Sequence, residues 1–401
     1  MPTVHQVATS PAPAAPAHPS VGAATALLDA YGTGARFLAT PSRTLLAHGV
    51  RHEVPHSAEP LSERVAEVLA EARRSGHPWP MVIGAIPFDP DAPAALVVPE
   101  TLRSGPPLAS DPLIGLPSAG PAPADWSITP VPEPDVYGKG VASAVDRMWK
   151  GEFNKVVLAR SLELVSDRPL DIPAMLQRLA RRDPSGYTFA LPTAPGRDLL
   201  GASPELLLSR RGDRLTSNPL AGSTPRSADL AEDVRRAAAL LQSAKDLHEH
   251  AVVVDAVHQA MAPYCSSLEV PERPTLLRTA TMWHLSTTVT GVLTRPDVSA
   301  LEIASSLHPT PAVCGSPTDV ARRVIRETEP FDRGFFTGMI GWEDATGDGE
   351  WVVTIRCAEA EENRLRLYAG AGIVSASEPE AETAETAAKF RTFLQAVGAR
   401  L

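Results

Sequence analysis

Two charged residues stand at the edges of apolar runs, where a base and an acid could face one substrate. Lys155 precedes three apolar residues in "FNKVVLAR", and Glu205 precedes a leucine run in "GASPELLL". Burial disfavours charge, so it lowers the pKa of a lysine and raises the pKa of a carboxylic acid. A neutral lysine can then act as a general base and a protonated glutamate as a general acid. Each residue taken alone is more typical of a strand end whose charged head lies in water.

Four acidic side chains fall in two pairs on predicted helices. Asp246 and Glu249 are three residues apart in "SAKDLHEH", and Glu382 and Glu385 are three apart in "EAETAET". Residues at this spacing share one helix face, and carboxylate oxygens are ligands that Mg²⁺ prefers. A solvated acidic first turn is the alternative, because acidic residues favour helix N-termini. Zinc is disfavoured because the HExxH spacing is absent.

An anion site is suggested by an arginine and several small residues. Arg356 in "TIRCA" is predicted to lie inside an apolar strand, and a buried guanidinium usually has an anionic partner. Glycines in "YAGAGIV" and "PLAGSTPR" would let backbone amides approach a ligand closely. The alternative is a structural salt bridge with glycines placed for packing. The chain carries no P-loop and no dinucleotide fingerprint.

Composition narrows the class of protein. The 401 residues carry a net charge of -10, with 43% hydrophobic and 21% charged residues, which is typical of a globular protein with a large core. The acidic balance argues against a nucleic-acid surface. We expect no membrane span, because no apolar run reaches about 18 residues. Three cysteines without CxxC spacing predict reduced thiols and a cytoplasmic protein.

The elements that would position these residues alternate irregularly between strands and helices. This pattern favours an α+β domain over a doubly wound sheet. A helix is predicted to lead into the strand that begins near Lys155, a long helix to break near Ser243, and a last helix to begin at about Pro379. "EWVVTIRCAEAEENRLRLYAGAGIV" predicts two strands joined by a polar turn.

Proline-rich stretches set the expected boundaries. Residues 1–20 are rich in Ala and Pro, lack the pattern of a secretory signal, and predict a disordered tail. Residues 21–401 are predicted to form a single catalytic domain whose motifs lie within about 125–401. The stretch 117–135 predicts a surface connection.

Eight motifs in a fixed order resemble those of the chorismate-utilising enzymes, in particular the isochorismate synthases of siderophore pathways. They span about Phe153 to Lys389 and read "FNKVVLAR", "GASPELLL", "NPLAGSTPR", "SAKDLHEH", "LHPTPAVCG", "EPFDRGFFTGMIGW", "GEWVVTIRCA" and "YAGAGIV" followed by "EAETAET". The resemblance implies one large α+β domain of two stacked β-sheets with helices outside. It also implies an active-site cleft, magnesium as cofactor and chorismate as substrate.

The resemblance also implies a role for each motif. Water adds to C2 of the chorismate ring while the C4 hydroxyl leaves, with Lys155 as the base and Glu205 as the acid. The implied magnesium ligands are Glu249 and Glu385 directly, and Asp246 and Glu382 through water. The implied substrate-binding residues are Arg356 and Gly372 at the enolpyruvyl carboxylate, with Gly222, Ser223, His308 and Lys389 around the rest.

Residues that differ among the chorismate-utilising enzymes argue against some of the activities found in this superfamily. Ala221 stands where aminodeoxychorismate synthases have a nucleophilic lysine, and Lys155 stands where anthranilate synthases have a glutamine. Salicylate synthases share the lysine, so a synthase that also releases pyruvate is the alternative, although "LHPTPA" favours the plain synthase. An inactive paralogue that binds an aromatic acid or a partner enzyme is an alternative of another class. We expect no glutaminase subunit and, without a heptad seam, a monomer.

Overall fold

The computed structural model describes residues 21–121 and 124–399, so the predicted tail of residues 1–20 lies outside the described residues. In these ranges the α-helices, numbered in chain order, are α1 Ala23–Asp29, α2 Leu61–Arg74, α3 Pro134–Trp149, α4 Ile172–Arg182, α5 Leu230–Gln242, α6 Ala244–Met261, α7 Ala300–Leu307, α8 Thr318–Thr328 and α9 Pro379–Val397.

The strands of the same ranges are β1 Arg36–Ala39, β2 Thr44–His48, β3 His52–Glu53, β4 Met81–Ile86, β5 Ala95–Val98, β6 Thr101–Gly105, β7 Trp126–Val131, β8 Lys155–Ser166, β9 Tyr187–Ala194, β10 Arg197–Ser203, β11 Leu206–Arg211, β12 Arg214–Asn218, β13 Leu220–Pro225, β14 Cys265–Glu269, β15 Thr275–Arg278, β16 Met282–Ser286, β17 Val289–Leu293, β18 Gly315–Ser316, β19 Met339–Asp344, β20 Gly349–Val353, β21 Cys357–Glu361 and β22 Arg364–Ile373.

The strands form two large sheets and one small sheet. The first large sheet has ten strands in the order β18-β8-β22-β21-β10-β9-β1-β2-β6, with β7 paired to β8. The second has nine strands in the order β14-β17-β12-β11-β20-β19-β4-β5-β3, and β13, β16 and β15 form a small third sheet. The pairings within the described residues are antiparallel, as in β8 with β22. The predicted α+β class is confirmed, and the small sheet is an addition to the prediction.

The two large sheets stack face to face around a shared apolar core. Leu38 and Leu199 of the first sheet belong to one buried cluster with Ile83, Ile340 and Val352 of the second. Helices α1, α4 and α9 cover the outer face of the first sheet, and α2, α6 and α7 cover the outer face of the second. Both faces of each sheet are therefore buried over much of their area, which explains strands such as "MVIGAI" whose residues are all buried.

Two predicted helix boundaries are confirmed. The backbone N–H of Asp246 donates to the Ser243 hydroxyl at 3.2 Å, so Ser243 caps α6 immediately after α5 ends. A serine at this position satisfies a backbone donor that the first turn leaves free. Helix α9 begins at Pro379, where the missing N–H of proline costs no hydrogen bond.

Two predictions about strands are wrong. Arg356 does not lie inside a strand, because β20 ends at Val353, β21 begins at Cys357, and Arg356 adopts a left-handed φ of 52° between them. The segment thus forms three strands, and the N–H of Thr337 bonds the Thr354 carbonyl at the break. The Pro-rich stretch contains β7, which pairs with β8 along the edge of the sheet, where prolines are tolerated.

Candidate active site

One cleft gathers most of the predicted site residues. Its free volume, open to solvent, is about 660 Å³. The predicted residues that line it are Glu205, Gly222, Ser223, Glu249, Arg356, Gly372, Glu385 and Lys389. They come from six separate parts of the chain, so the fold brings together motifs that the sequence separates by up to 184 positions, from 205 to 389.

The carboxyl group of Glu205 is buried at the start of β11. The residue is only 3% exposed, so the solvated alternative does not hold. Burial raises its pKa to about 7, although the charges of Lys155, Arg356 and Lys389 act in the opposite direction. The backbone N–H of Leu220 approaches Oε1 at 3.5 Å. A carboxyl group with this pKa exists in both protonation states near neutral pH, as a general acid requires.

The side-chain nitrogen of Lys155 is buried beside the Glu249 carboxylate, and Lys155 itself is not among the residues that line the cleft. Lys155 is the first residue of β8 and is 1% exposed, so its head does not lie in water. Its Nζ lies 2.9 Å from Oε1 of Glu249, at an angle that does not make a well-directed hydrogen bond. Gly372 on the neighbouring strand leaves room for this pair, since a Cβ there would overlap Oε1 of Glu249.

The acidic residues on α6 and α9 are held by cationic and hydroxyl partners. Lys389 pairs with Glu385 at 2.6 Å, and the Ser223 hydroxyl donates to the same carboxylate at 3.1 Å. Burial is the largest single effect on Glu385 and raises its pKa, but the charge and hydrogen bond of Lys389, the charge of Lys245 and the hydrogen bond of Ser223 together lower the pKa below its usual value. Lys245 pairs with Glu382 at 2.6 Å. Glu382 is 1% exposed, which excludes the solvated first turn for this residue.

The carboxylates of this acidic set affect the ionisation of one another. Burial raises the pKa of Asp246, and the charges of Glu249 and Glu385 raise it further. Burial also raises the pKa of Glu382, with Glu385 again contributing. Asp246 and Glu382 are not among the residues that line the cleft, whereas Glu249 and Glu385 are. A divalent cation bound near them would relieve this mutual repulsion.

Arg356 offers the cleft a cation available for a ligand. Within the described residues no carboxylate lies at ion-pairing distance from its guanidinium, and burial lowers its pKa to about 10 despite Glu385 and Glu205. The group remains charged at neutral pH. A buried guanidinium in this position suits a bidentate bond to a carboxylate.

His308 is not among the residues that line the cleft, and its contact with substrate stays a prediction. Helix α7 ends at Leu307, and the next residue turns its ring so that Nε2 donates to the Thr337 carbonyl at 2.8 Å. Thr337 itself lines the cleft with a φ of 60°. This hydrogen bond connects His308 to a residue of the cleft lining.

Sequence reasoning missed several residues of the lining. His284 on β16 is buried with an unpartnered Nε2, and burial, with the charges of Arg356 and Lys389, lowers its pKa well below the usual value. In the sequence, the histidine within the largely apolar segment "MWHLS" could have indicated this residue. Phe336 and Tyr368, which stack at 4.9 Å, also line the cleft, but nothing in their apolar surroundings marked them.

Comparisons with known proteins agree with this geometry. Residues 118–398 match the family model described as chorismate binding enzyme. The chain belongs to the family of chorismate-binding enzymes. The chain is 56% identical to isochorismate synthase DhbC of Bacillus subtilis, over 93% of this chain and 96% of the relative. It is 43% identical to the vibriobactin-specific isochorismate synthase of Vibrio cholerae, over 91% and 92% of the two chains.

A solved structure of a chorismate-binding enzyme confirms the fold. It was described as a 2,3-dihydroxybenzoate-specific isochorismate synthase, DhbC, of Bacillus anthracis. The TM-score is 0.88 at 49% identity, over 94% of this chain and 100% of that one. The predicted family and the predicted stacked-sheet fold are both confirmed.

Isochorismate synthases in this chorismate-binding family need a divalent metal ion. The four predicted ligands fit such an ion in chemistry, because the side chains of Asp246, Glu249, Glu382 and Glu385 offer only oxygen donors. In residues 21–121 and 124–399, however, no three acidic, histidine or cysteine side chains stand together in a metal-holding arrangement. Glu249, Glu382 and Glu385 pair instead with Lys155, Lys245 and Lys389.

No helix among the described residues has the length and apolarity needed to cross a membrane. The three cysteines of the chain, Cys265, Cys314 and Cys357, are free thiols.

Proposed function

We propose that the chain isomerises chorismate to isochorismate by adding water at C2 of the ring as the C4 hydroxyl leaves. We assign it to the supply of 2,3-dihydroxybenzoate or salicylate for a siderophore. The observation that carries the proposal is a buried carboxyl group in the cleft lining, Glu205, whose pKa is raised to about 7, together with a buried lysine, Lys155, whose Nζ lies 2.9 Å from the cleft-lining Glu249. The activity named for the relatives from Bacillus and Vibrio supports it.

The two catalytic residues have distinct tasks. Lys155 takes a proton from the attacking water in its amine form. The ammonium that results lies beside the Glu249 carboxylate, which stabilises the new charge. Glu205 gives its proton to the departing hydroxyl, and its burial keeps a substantial protonated fraction available at neutral pH. General acid and general base assistance each contribute about 10² to 10⁴ in rate.

The remaining residues anchor the substrate. Arg356 binds the enolpyruvyl carboxylate as a bidentate partner, with the Gly372 backbone beside it. Gly222 and Ser223 also line the cleft, and Lys389 contacts both Glu385 and the Gly370 carbonyl, to which its Nζ donates at 2.7 Å. The absence of an internal ion-pair partner for Arg356 among the described residues supports this assignment.

Mg²⁺ is the proposed ion. Glu249 and Glu385 would bind it directly, and Asp246 and Glu382 would hold it through water. Bound there, it would neutralise the ring carboxylate of chorismate. The oxygen-only donor set and the mutual electrostatic effects of the four carboxylates support the choice.

Location and assembly are also proposals. We place the protein in the cytoplasm as a monomer, and its three free thiols support a reducing compartment. A reaction in which water is the nucleophile requires no ammonia, so we propose no glutaminase subunit. Lys155, in place of the glutamine of anthranilate synthases, supports the same conclusion.

A direct assay tests the proposed function. Purified protein incubated with chorismate and Mg²⁺ should accumulate isochorismate, detected by chromatography. A chelator should stop the reaction, and added Mg²⁺ should restore it. The proposal fails if chorismate is unchanged under these conditions or if salicylate and pyruvate form at the rate of turnover.

The proposed metal ligands make a separate prediction. Glu249→Gln should raise the Mg²⁺ concentration for half-maximal activity by at least about 10-fold, because a direct oxygen ligand loses its charge. Calorimetric titration with Mg²⁺ should show the same weakening, while the thermal unfolding midpoint stays close to wild type. The matched control is Asp255→Asn on the exposed face of the same helix, α6. Normal Mg²⁺ binding by the Glu249 variant would place the metal elsewhere.

A further inference from the structure

A buried ion pair joins three walls of the cleft. Glu329 follows α8, and Arg333 lies four residues later; their side chains are each 2% exposed, with Nη2 of Arg333 2.6 Å from Oε1 of Glu329. A buried pair of this kind is weak evidence of stabilisation, because removing both charges from water is costly. Its presence beside a reaction cleft therefore calls for another explanation, which its hydrogen bonds supply.

Each N–H group of the Arg333 guanidinium has an acceptor. Nε and Nη2 donate to the two oxygens of Glu329 at 2.8 and 2.6 Å. Nη2 also donates to the Val157 carbonyl at 2.8 Å. Nη1 donates to the Val313 carbonyl at 2.8 Å and to the Thr337 hydroxyl at 3.2 Å. Arginine has five donors in a fixed planar fork, so this arrangement leaves the group a single orientation.

The first wall is the strand that carries Lys155. Strand β8 pairs with β18 only at Lys155 and Val156, and with β7 only from Ser161 onward. Between these two strand pairings, the Glu329–Arg333 ion pair takes the place of a neighbouring strand. Arg333 donates to the Val157 carbonyl, and Glu329 accepts the Ala159 N–H at 2.8 Å. The edge of β8 just beyond the base is thus held by side chains.

The other two walls are the segment that contains Val313 and the turn that contains Thr337. Val157, Val313 and Thr337 all line the cleft. The rings of Phe88 and Phe336 flank the guanidinium at 4.8 and 5.7 Å, which excludes water from its faces. The Arg333 guanidinium therefore sets the distance between the strand that carries Lys155 and the two segments that contain Val313 and Thr337.

We propose that Arg333, oriented by Glu329, is a positioning residue for the reaction, which holds Lys155 at a fixed place relative to the substrate-binding walls. The inference rests on the proposed function. A displacement of about 1 Å between reacting groups can cost about 10²-fold in rate. Loss of the planar set of hydrogen bonds made by the Arg333 guanidinium should therefore lower kcat much more than it changes the binding of substrate.

Arg333→Lys tests the proposal, because lysine keeps the charge near Glu329 but cannot make five bonds in one plane. We expect kcat for isochorismate formation to fall by about 10- to 100-fold, with KM within about threefold of wild type. The unfolding midpoint and the Mg²⁺ requirement are measured alongside. A purely structural ion pair would lower the unfolding midpoint and leave kcat per folded enzyme unchanged.

Arg210→Lys is the matched control. Arg210 is also buried, and its guanidinium donates to the carbonyls of Gly212, Val298 and Pro296 at 2.7 to 3.0 Å, away from the cleft. Its substitution should lower stability comparably and leave kcat within about twofold. If kcat falls no further in the Arg333 variant than in this control, the proposal is wrong.

Glu329→Gln covers the case in which Arg333→Lys does not fold. Glutamine keeps the shape and one oxygen acceptor, and we expect the same fall in kcat at a smaller size. If neither variant folds, the pair serves folding and the proposal is overturned. A wild-type enzyme that does not convert chorismate would instead refute the proposed function, which the same assay shows.

Discussion

Lys155→Gln should reduce kcat for isochorismate formation by about 10² to 10⁴, the usual contribution of a general base. The variant should keep most of its affinity for chorismate, because Arg356 and the proposed metal ligands remain. Glutamine also removes the positive charge from beside Glu249, where the ammonium now lies at 2.9 Å. Steady-state kinetics with the folded variant give kcat and KM separately, and the second parameter reports whether binding survives.

The control for this result is Lys150→Gln, which removes an exposed lysine paired with Asp146 at the end of α3. We expect its kinetics to match wild type. A near-normal kcat in the Lys155 variant would remove this residue from the role of base. A loss shared by both variants would point to an effect of net charge.

Glu205→Gln should lower kcat by a similar factor, because the amide cannot give a proton to the leaving hydroxyl. In wild type the protonated form is the active one, and its fraction falls as pH rises through the pKa of about 7. The value of kcat/KM should therefore decrease above about pH 7, and the residual rate of the variant should lack this decrease. Initial rates measured from pH 6 to pH 9 test both statements.

The structure provides a matched control in Glu343→Gln. Glu343 is also buried, its pKa is likewise raised to about 7, and it accepts the Leu301 N–H at the start of α7, away from the cleft. This variant should retain both kcat and the decrease above about pH 7. The assignment of Glu205 would be refuted if the Glu343 variant lost that decrease or if the Glu205 variant kept it.

The fold and most of the cleft could be predicted because their signals are local or belong to motifs. Ser243 and Pro379 mark helix starts by their own chemistry, and the apolar run after Lys155 marks a strand. That Lys155 and Glu205 are buried could be suspected from these runs. Their juxtaposition with Glu249 and Arg356 could come only from the order of the motifs, since no local pattern specifies which distant segments meet.

Three features could not be predicted for identifiable physical reasons. The break at Arg356 interrupts an apolar run that continues on both sides, so periodicity gave no sign of it. His308 turns toward the Thr337 carbonyl because of a contact 29 residues away. Lys155 and Lys245, which pair with Glu249 and Glu382, lie far from these partners along the chain. Lys389, in contrast, lies one helical turn after its partner Glu385.

The central claim is that a water molecule enters at C2 while the C4 hydroxyl departs, without cleavage of the enolpyruvyl side chain. The most direct measurement is the wild-type reaction with chorismate and Mg²⁺ in H₂¹⁸O, stopped at low conversion and analysed by mass spectrometry and a pyruvate assay. We predict isochorismate that carries one ¹⁸O in its ring hydroxyl, with no pyruvate beyond the spontaneous background. Unlabelled isochorismate, or pyruvate released at the rate of turnover, would contradict the account.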